Sequence, residues 1–315
     1  MTIGMKYSIT IIYCLFTLLV NAQEKMNTFH IVDSLSGRSL PSASVTIVRA
    51  KLSITTESDG IFKIPGNLLL MRDTIVLYLQ NYRQRKFTLR QLNCMDTIRL
   101  TKHPTELNTG LVKYTADTSL NDYRKRSVVH FAGINTSTAK FEYLQLAQQF
   151  YTAKPGTSLK SIKLNRLTFG LDDSDNNWLG LVHLDVTKFR IRIYDVDSIT
   201  HRPGRDLCNK IIEESKNWGS QVDINLKKYK IIIPHTSFFV AVEWMRDFYN
   251  AGYSISIDEN GRTSREINYR PAIGISAVTG NRLNIWALNI KREWEPFTYF
   301  MPFGTDLAMS ATIAY

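Results

Sequence analysis

Alternating apolar and polar positions recur along this chain of 315 residues and predict β-strands. Residues 188–194 are the clearest example, because Phe and Ile fall at every second position and Lys and Arg stand between them. Successive side chains of a strand point to opposite faces. We therefore expect an apolar face here, with Arg190 and Arg192 pointing the other way.

Other apolar or β-branched runs bounded by turn residues also predict strands. They cover residues 44–48, 73–79, 230–234, 238–244, 255–257, 272–278, 283–290 and 309–315. Residues 141–150 fit either a helix or a strand. Strands at this spacing, with turn signals between them, predict an all-β chain.

Breaks in this periodicity divide the chain. Residues 27–101 are expected to form a first β-sandwich domain, and residues 126–315 a larger β-sandwich or jelly-roll-like domain. Residues 102–125 carry many turn residues and no sustained period, which predicts a linker between the two domains.

The first domain carries a recognisable order of turns. A strand leads to a turn at Gly37, a Leu-Pro corner at Pro41, a second strand, an Asp-Gly turn at Gly60 and an apolar strand followed by Tyr82. This order resembles the carboxypeptidase-regulatory-like (transthyretin-like) β-sandwich module of exported proteins. The resemblance implies a scaffold and names no chemistry.

The second domain is similar to the C-terminal part of uncharacterised Gram-negative envelope proteins that carry this module in front. The residues that carry the similarity are 189–195, 203–207, Trp218, 222–223 and 239–244. The similarity implies an envelope protein and supplies no activity.

The N-terminus agrees with export. Lys6 precedes an apolar run over residues 9–20, and Val20 and Ala22 stand at the −3 and −1 positions of a cleavage site. The run is too short to span a bilayer, which predicts a signal peptide over residues 1–22. We expect a protein of the periplasm, or one associated with the outer membrane or cell surface, with no transmembrane segment after cleavage.

Net charge and cysteine content limit which partners and which kind of scaffold this chain is expected to have. The formal net charge of +11 is spread along the chain rather than gathered in a basic stripe, which disfavours a nucleic-acid partner. Once Cys14 leaves with the signal peptide, Cys94 and Cys208 remain in different predicted domains. This excludes a disulfide framework and favours two separate thiols.

Two sequence patterns are similar to metal-binding motifs but lack features that those motifs need. His103, Glu106 and His235 imitate the ligand order of a zinc carboxypeptidase, but His103 stands beside a proline in the predicted linker. We expect no metal and no cofactor. A weak calcium candidate consists of Asp173, Asp175 and Asn177, although Trp178 stands where an EF-hand loop needs Gly.

The ligand-binding candidates lie in the second domain. Trp294, Phe297, Tyr299 and Phe303 lie in a stretch with Pro and Gly breakers, which predicts rings on a loop. Glu243 stands in an otherwise apolar strand, where a carboxylate needs a partner. Glu243 could be structural, bind ligand, or act as an acid with a raised pKa.

Taken together, these patterns predict an exported, non-catalytic binding or assembly module of the envelope, with an envelope protein or a glycan as its partner. A carbohydrate-binding protein is the first alternative. A carboxylate-based hydrolase of glycan or peptide is the second, although the chain has no Gly-x-Ser-x-Gly motif.

The signal peptide gives the first testable prediction. Protein recovered from an envelope fraction is expected to begin near Gln23, because residues 20–22 form the cleavage site. N-terminal sequencing measures this directly, and recovery of intact Met1 would contradict it.

Overall fold

A computed structural model describes residues 26–66, 69–95, 97–103, 117–136, 141–167, 187–215, 219–246, 250–257, 263–277, 283–299 and 304–315. Across these ranges the chain is nearly all β, which confirms the predicted fold class. No helix within them is long and apolar enough to cross a membrane. The predicted signal peptide lies outside them.

The N-terminal segment is a β-sandwich. Its strands are β1 (Met26–Asp33), β2 (Ser44–Ile47), β3 (Leu52–Thr55), β4 (Ile61–Pro65), β5 (Thr74–Tyr78), β6 (Arg85–Thr88) and β7 (Ile98–Leu100), and the short helix α1 (Leu89–Leu92) precedes β7. The described strands pair in the orders β4-β1-β7 and β3-β2-β5-β6. Ile31, Val45, Phe62 and Ile75 contribute to a shared core. The family resemblance of this segment stays a prediction.

The C-terminal segment begins at residue 117. Its strands are β8 (Asp117–Leu120), β9 (Val128–Asn135), β10 (Tyr143–Tyr151), β11 (Thr157–Asn165), β12 (Phe189–Val196), β13 (Pro203–Asp206), β14 (Ile212–Glu214), β15 (Gln221–Asn225), β16 (Ile231–Ile233), β17 (Ser237–Trp244), β18 (Ala251–Ile257), β19 (Thr263–Ala277), β20 (Ile285–Asn289), β21 (Trp294–Pro296), β22 (Thr305–Leu307) and β23 (Met309–Ala314). Short 3₁₀ turns lie at Lys125–Ser127 and Lys227–Tyr229.

These strands form three sheets that share a core. The orders among described strands are β13-β12-β17-β10-β20-β21 with β14 beside β12, β15-β11-β23-β8 with β16 beside β11, and β18-β19-β22 with β9 beside β19. Ile193 and Val240 from the first sheet, Ile162 from the second and Ile275 from the third belong to one apolar cluster. The sheets therefore enclose a core separate from that of the N-terminal segment.

Two sequence-based assignments are refined by these elements. Residues 143–151 form strand β10, which settles the helix-or-strand alternative for this stretch. The predicted linker extends too far, because β8 lies inside it and pairs with β23. Residues 104–116 lie outside the described ranges.

The alternation in β12 is confirmed. Phe189, Ile191 and Ile193 enter the core, while Arg190 and Arg192 point to the opposite face of the sheet. That face is covered by the N-terminal segment. Arg190 Nη1 donates to the Ser42 carbonyl at 3.2 Å, and both arginines are buried.

A second contact between the segments lies at Lys51. Arg246 Nη1 donates to the Lys51 carbonyl at 2.8 Å, and Lys51 Nζ lies 2.6 Å from Glu142 Oε2. Burial of charged groups is tolerated where they are paired or hydrogen-bonded. These contacts fix how the two segments meet.

Gly60 gives a stability prediction for the N-terminal sandwich. Its φ of +76° is unfavourable for other residues, and a Cβ there would lie 2.7 Å from the Ile31 carbonyl oxygen and 2.9 Å from the Leu40 nitrogen. Both neighbours are backbone atoms that cannot move aside. Gly60→Ala is expected to lower the free energy of unfolding by about 3 kcal/mol, measured by chemical denaturation.

Gly37→Ala is the matched control. Gly37 has a similar φ of +67°, but nothing lies within 4 Å of the added Cβ. We expect it to cost about 1 kcal/mol, from the left-handed conformation alone. Equal losses in the two variants would contradict the steric explanation.

Candidate functional site

A cleft lies where the N-terminal segment meets the large sheet of the C-terminal segment. Its volume is about 630 Å³. The N-terminal segment lines it with Tyr78, Asn81, Tyr82, Arg83, Gln84 and His103, and the C-terminal segment with Gln145, Tyr194, Gly204, Arg205, Asp206, Leu288, Arg292 and Trp294. The site therefore exists only where the two segments meet.

A buried network of polar groups lies next to this cleft. Arg192 Nε donates to Glu243 Oε2 at 2.9 Å, and Arg192 Nη1 donates to the side-chain oxygen of Gln80 in the N-terminal segment. Gln145 Nε2 donates to Glu243 Oε1 at 3.4 Å, while Tyr194 donates its hydroxyl to Gln145 Oε1 at 2.9 Å. The network joins both segments through one guanidinium.

Glu243 stays ionised in this network. Burial alone would raise its pKa, but the charge of Arg192, with smaller contributions from Arg190 and Arg292, lowers the pKa below its usual value. Both carboxylate oxygens already accept hydrogen bonds, and Glu243 does not line the cleft. Glu243 is therefore a structural counter-ion, one of the alternatives that the sequence left open.

Asp206 is the carboxylate that lines the cleft. Burial raises its pKa to about 6, although Arg192 and the backbone N–H of Cys208 oppose the rise. Its Oδ1 accepts the Cys208 N–H at 3.0 Å. Its Oδ2 is shielded from water, lies 3.7 Å from Arg192 Nη1 and has no hydrogen-bond partner among the described residues.

Arg292 brings a second set of unpartnered groups to the cleft. It lies in the turn between β20 and β21, with a φ of 65°. The Asn289 side chain holds this turn by accepting the N–H groups of Lys291 and Glu293, each at 3.0 Å. Nε and Nη2 of Arg292 are shielded from water and have no hydrogen-bond partner in the part of the chain that the structure describes.

Aromatic rings complete the lining. The Arg292 guanidinium carbon lies 4.2 Å from the centre of the Tyr78 ring, and that of Arg192 lies 5.5 Å from it. Trp294 meets Tyr194 edge to face with ring centres 5.5 Å apart. Such contacts hold the rings in fixed positions and leave apolar surface beside polar groups.

A hydrogen bond within the N-terminal segment anchors the Tyr82 side chain. Its hydroxyl donates to Asp33 Oδ2 at 2.8 Å. Burial and this hydrogen bond raise the pKa of Tyr82 to about 12, so the ring stays neutral. The Asp33 carboxyl has its pKa lowered by the Ser36 N–H and by Tyr82.

The predicted aromatic group is divided by the fold. Trp294 lines the cleft, whereas Phe297 is buried and packs on Tyr143 with ring centres 5.7 Å apart, so it belongs to the core rather than to an exposed loop. Tyr299 is 46% exposed and contacts Phe141 with ring centres 4.4 Å apart. Phe303 lies outside the described residues.

The metal candidates are also separated or lie outside the described ranges. His103 lines the cleft, while His235 Nε2 lies 3.6 Å from Asp195 Oδ2 and is not part of the cleft lining. Glu106 and the weak calcium candidate, Asp173, Asp175 and Asn177, lie outside the described residues. Within them, no group of three or more His, Cys, Asp or Glu residues could hold a metal ion.

The cysteines do not pair. Cys94 is exposed and Cys208 is buried, each as a free thiol. Burial raises the pKa of Cys208 to about 11, so its thiol stays protonated. Cys208 therefore acts as a small apolar residue, and Cys94 does not.

The cleft residues Tyr78, Asp206 and Arg292 have no individual signal in the sequence. Tyr82 did stand out as the aromatic that follows the buried strand, but nothing linked it to β13 or to the β20–β21 turn. Residues that the fold brings together from distant parts of a chain leave no spacing pattern. The sequence alone therefore does not predict this cleft.

Comparisons with known proteins give limited information. No family model matches the chain, and no curated protein sequence matches it. A solved structure of the cysteine protease and lectin-like domains of Cwp84, a surface layer associated protein of Clostridium difficile, is similar with a TM-score of 0.34 and 10% identity, covering 55% of this chain and 32% of that one. The clostridial cysteine protease Cwp84 after propeptide cleavage gives a TM-score of 0.36 at 10% identity, covering 63% and 40%. Similarity this low assigns no function.

Asp206 gives a prediction on pH and stability. Between its ordinary pKa of 3.8 and its native pKa of about 6, the folded protein holds a proton that the unfolded chain has released. Native stability is therefore lost as pH rises through this window, by up to about 3 kcal/mol. The lowered pKa of Glu243 changes stability only below its ordinary pKa of 4.5. Because the wild type and an Asp206 variant share this effect, it cancels in the difference between their stabilities.

Asp206→Asn removes this titration. Relative to the wild type, the variant is expected to gain stability steadily from pH 4 to pH 6 and to keep that gain above pH 6. Denaturation at several pH values measures the difference. If the stabilities of the two proteins change with pH in parallel, the raised pKa of Asp206 is contradicted.

Proposed function

We propose that this protein is an exported, non-catalytic binding module of the Gram-negative envelope and that the cleft between its two segments binds a glycan. The observation that carries the proposal is the cleft itself. It combines aromatic rings, arginine and amide side chains, and a carboxylate oxygen that has no hydrogen-bond donor in the part of the chain that the structure describes.

The size and chemistry of the cleft suit a saccharide. Small-molecule sites are concave, enclose roughly 300–1,000 Å³, and place a few polar groups among apolar ones. Trp294 and Tyr82 offer ring surface for the apolar faces of sugar rings. Asp206 offers an acceptor to a hydroxyl, and the arginines offer donors.

The buried network supports binding rather than turnover. Arg192 is held by Gln80 from one segment and by Glu243 from the other, so the two segments are already joined at Arg192 before a ligand arrives. A site that is rigid in advance loses less conformational entropy on binding. This arrangement gives affinity without requiring a reacting group.

A carboxylate-based hydrolase is the second candidate, because Asp206 has the raised pKa of a general acid. A glycoside hydrolase also needs a second carboxylate at the substrate. Glu243 is unsuited to that role, because its oxygens are engaged by Gln145 and Arg192 and it does not line the cleft. The binding proposal is therefore better supported.

Trp294→Ala tests the binding proposal. Loss of a stacking ring in a binding site costs roughly 1–3 kcal/mol, so affinity for any oligosaccharide that binds the wild type is expected to fall about fivefold or more. Isothermal titration calorimetry against an oligosaccharide panel measures this.

Tyr299→Ala is the matched control, because this ring lies outside the cleft lining and contacts Phe141. It is expected to leave affinity unchanged. Equal losses in both variants would contradict the cleft assignment. Release of new reducing ends by the wild type, abolished in Asp206→Asn, would favour the hydrolase instead.

A further inference from the structure

We propose that Arg292 makes the cleft selective for acidic saccharides by binding the carboxylate of a uronic-acid-type sugar. This inference rests on the proposed glycan site and names the class of glycan. It is carried by Nε and Nη2 of Arg292, which are buried without an acceptor among the described residues.

The geometry of a guanidinium supplies the first step. Nε–H and Nη2–H lie on the same edge and point in parallel, so together they match the two oxygens of a carboxylate. These are the two Arg292 atoms that have no acceptor among the described residues. Both halves of one carboxylate-binding fork are therefore unused.

The energy of the unliganded site supplies the second step. A shielded donor without an acceptor costs roughly the desolvation of that group, and charged groups cost most. Burial correspondingly lowers the pKa of Arg292 despite the nearby Glu243. An anion that reaches the fork removes this cost, so the cleft favours an acidic ligand over a neutral one.

The surroundings of Arg292 supply the third step. The Tyr78 ring lies under its guanidinium, and the Asn289 side chain fixes the turn that carries it. The fork is shielded in the unliganded state, so a small opening of this turn must accompany binding. Arg292 is partly exposed and lies in the β20–β21 turn rather than in a paired strand.

The second unpartnered group selects a sugar acid over a simple carboxylate. Asp206 Oδ2 needs a donor, and a sugar hydroxyl is one. Arg292 and Asp206 line the same cleft as Tyr78, and the Arg292 guanidinium lies over the Tyr78 ring. A carboxylate beside hydroxyl groups on an apolar ring meets all three requirements, and this is the chemistry of a uronic acid.

The test uses matched pairs that differ in one group: tri-galacturonate and its methyl ester, a hyaluronan tetrasaccharide and its carboxyl-reduced form, and sialyllactose and lactose. The wild type is expected to bind the acidic member of at least one pair at least tenfold more tightly than the neutral member. Arg292→Lys keeps the charge but removes the fork. In this variant the preference is expected to fall below threefold.

Lys291→Ala is the matched control. It removes a positive charge from the same turn through a side chain that is exposed and outside the cleft lining. It should keep the acidic preference. Thermal melting of Arg292→Lys within a few degrees of the wild type shows that the fold is intact, and Arg292→Gln replaces it if melting falls further.

The outcomes separate the two proposals. If the wild type binds acidic and neutral members equally, or if Arg292→Lys keeps the preference, the role of Arg292 is overturned and the glycan site stands. If the wild type binds no member of any pair, both proposals are overturned. If Lys291→Ala loses the preference as Arg292→Lys does, selectivity comes from net charge and not from the fork, which also overturns the inference.

Discussion

The buried ion pair between Arg192 and Glu243 is the interaction on which the arrangement of this molecule depends. Arg192 is 2% exposed and Glu243 7% by side chain, and their closest atoms lie 2.9 Å apart. Removing one partner from such a pair leaves an uncompensated buried charge, which costs about 3–5 kcal/mol. Arg192 also binds Gln80, so the same guanidinium ties the second segment to the first.

That constraint explains why a cleft forms at the meeting of the two segments. The face of β10, β12 and β17 that carries Arg192 and Glu243 is buried, and Gln80 of the N-terminal segment binds Arg192 there. The N-terminal segment supplies the cover with strand β5 and the loop that follows it. Where the cover ends, Tyr82 and Arg83 line one side of the cleft, and β13 and the β20–β21 turn line the other. The proposed glycan site is the edge of an interface that exists for structural reasons.

Much of the fold could be predicted from local pattern. The period-two alternation in β12 and the apolar run in β5 specify strands wherever the chain places them. The Asp-Gly pair predicts a turn at Gly60, and its φ of +76° is one that glycine adopts readily. Residues 141–150 fit two periods, and only the pairing of β10 with β17 and β20 decides for a strand.

The site could be predicted only in part, because it depends on contacts between distant residues. Trp294 was found through the breakers near it, but the same signal also selected Phe297, which the fold buries. Glu243 was recognised as needing a partner, and alternation alone could not identify Arg192. Arg292 and Asp206 line the cleft from different strands and turns of the C-terminal segment, opposite residues of the N-terminal segment. Contacts between distant residues leave no local pattern in the sequence.

The central claim is that one ligand contacts both segments at the cleft. Hydrogen–deuterium exchange, with and without a saturating oligosaccharide, tests it most directly. The account predicts slower exchange together in residues 79–84 of the first segment and in residues 288–294 of the second. Protection confined to one segment, or centred on residues 297–299, would contradict it.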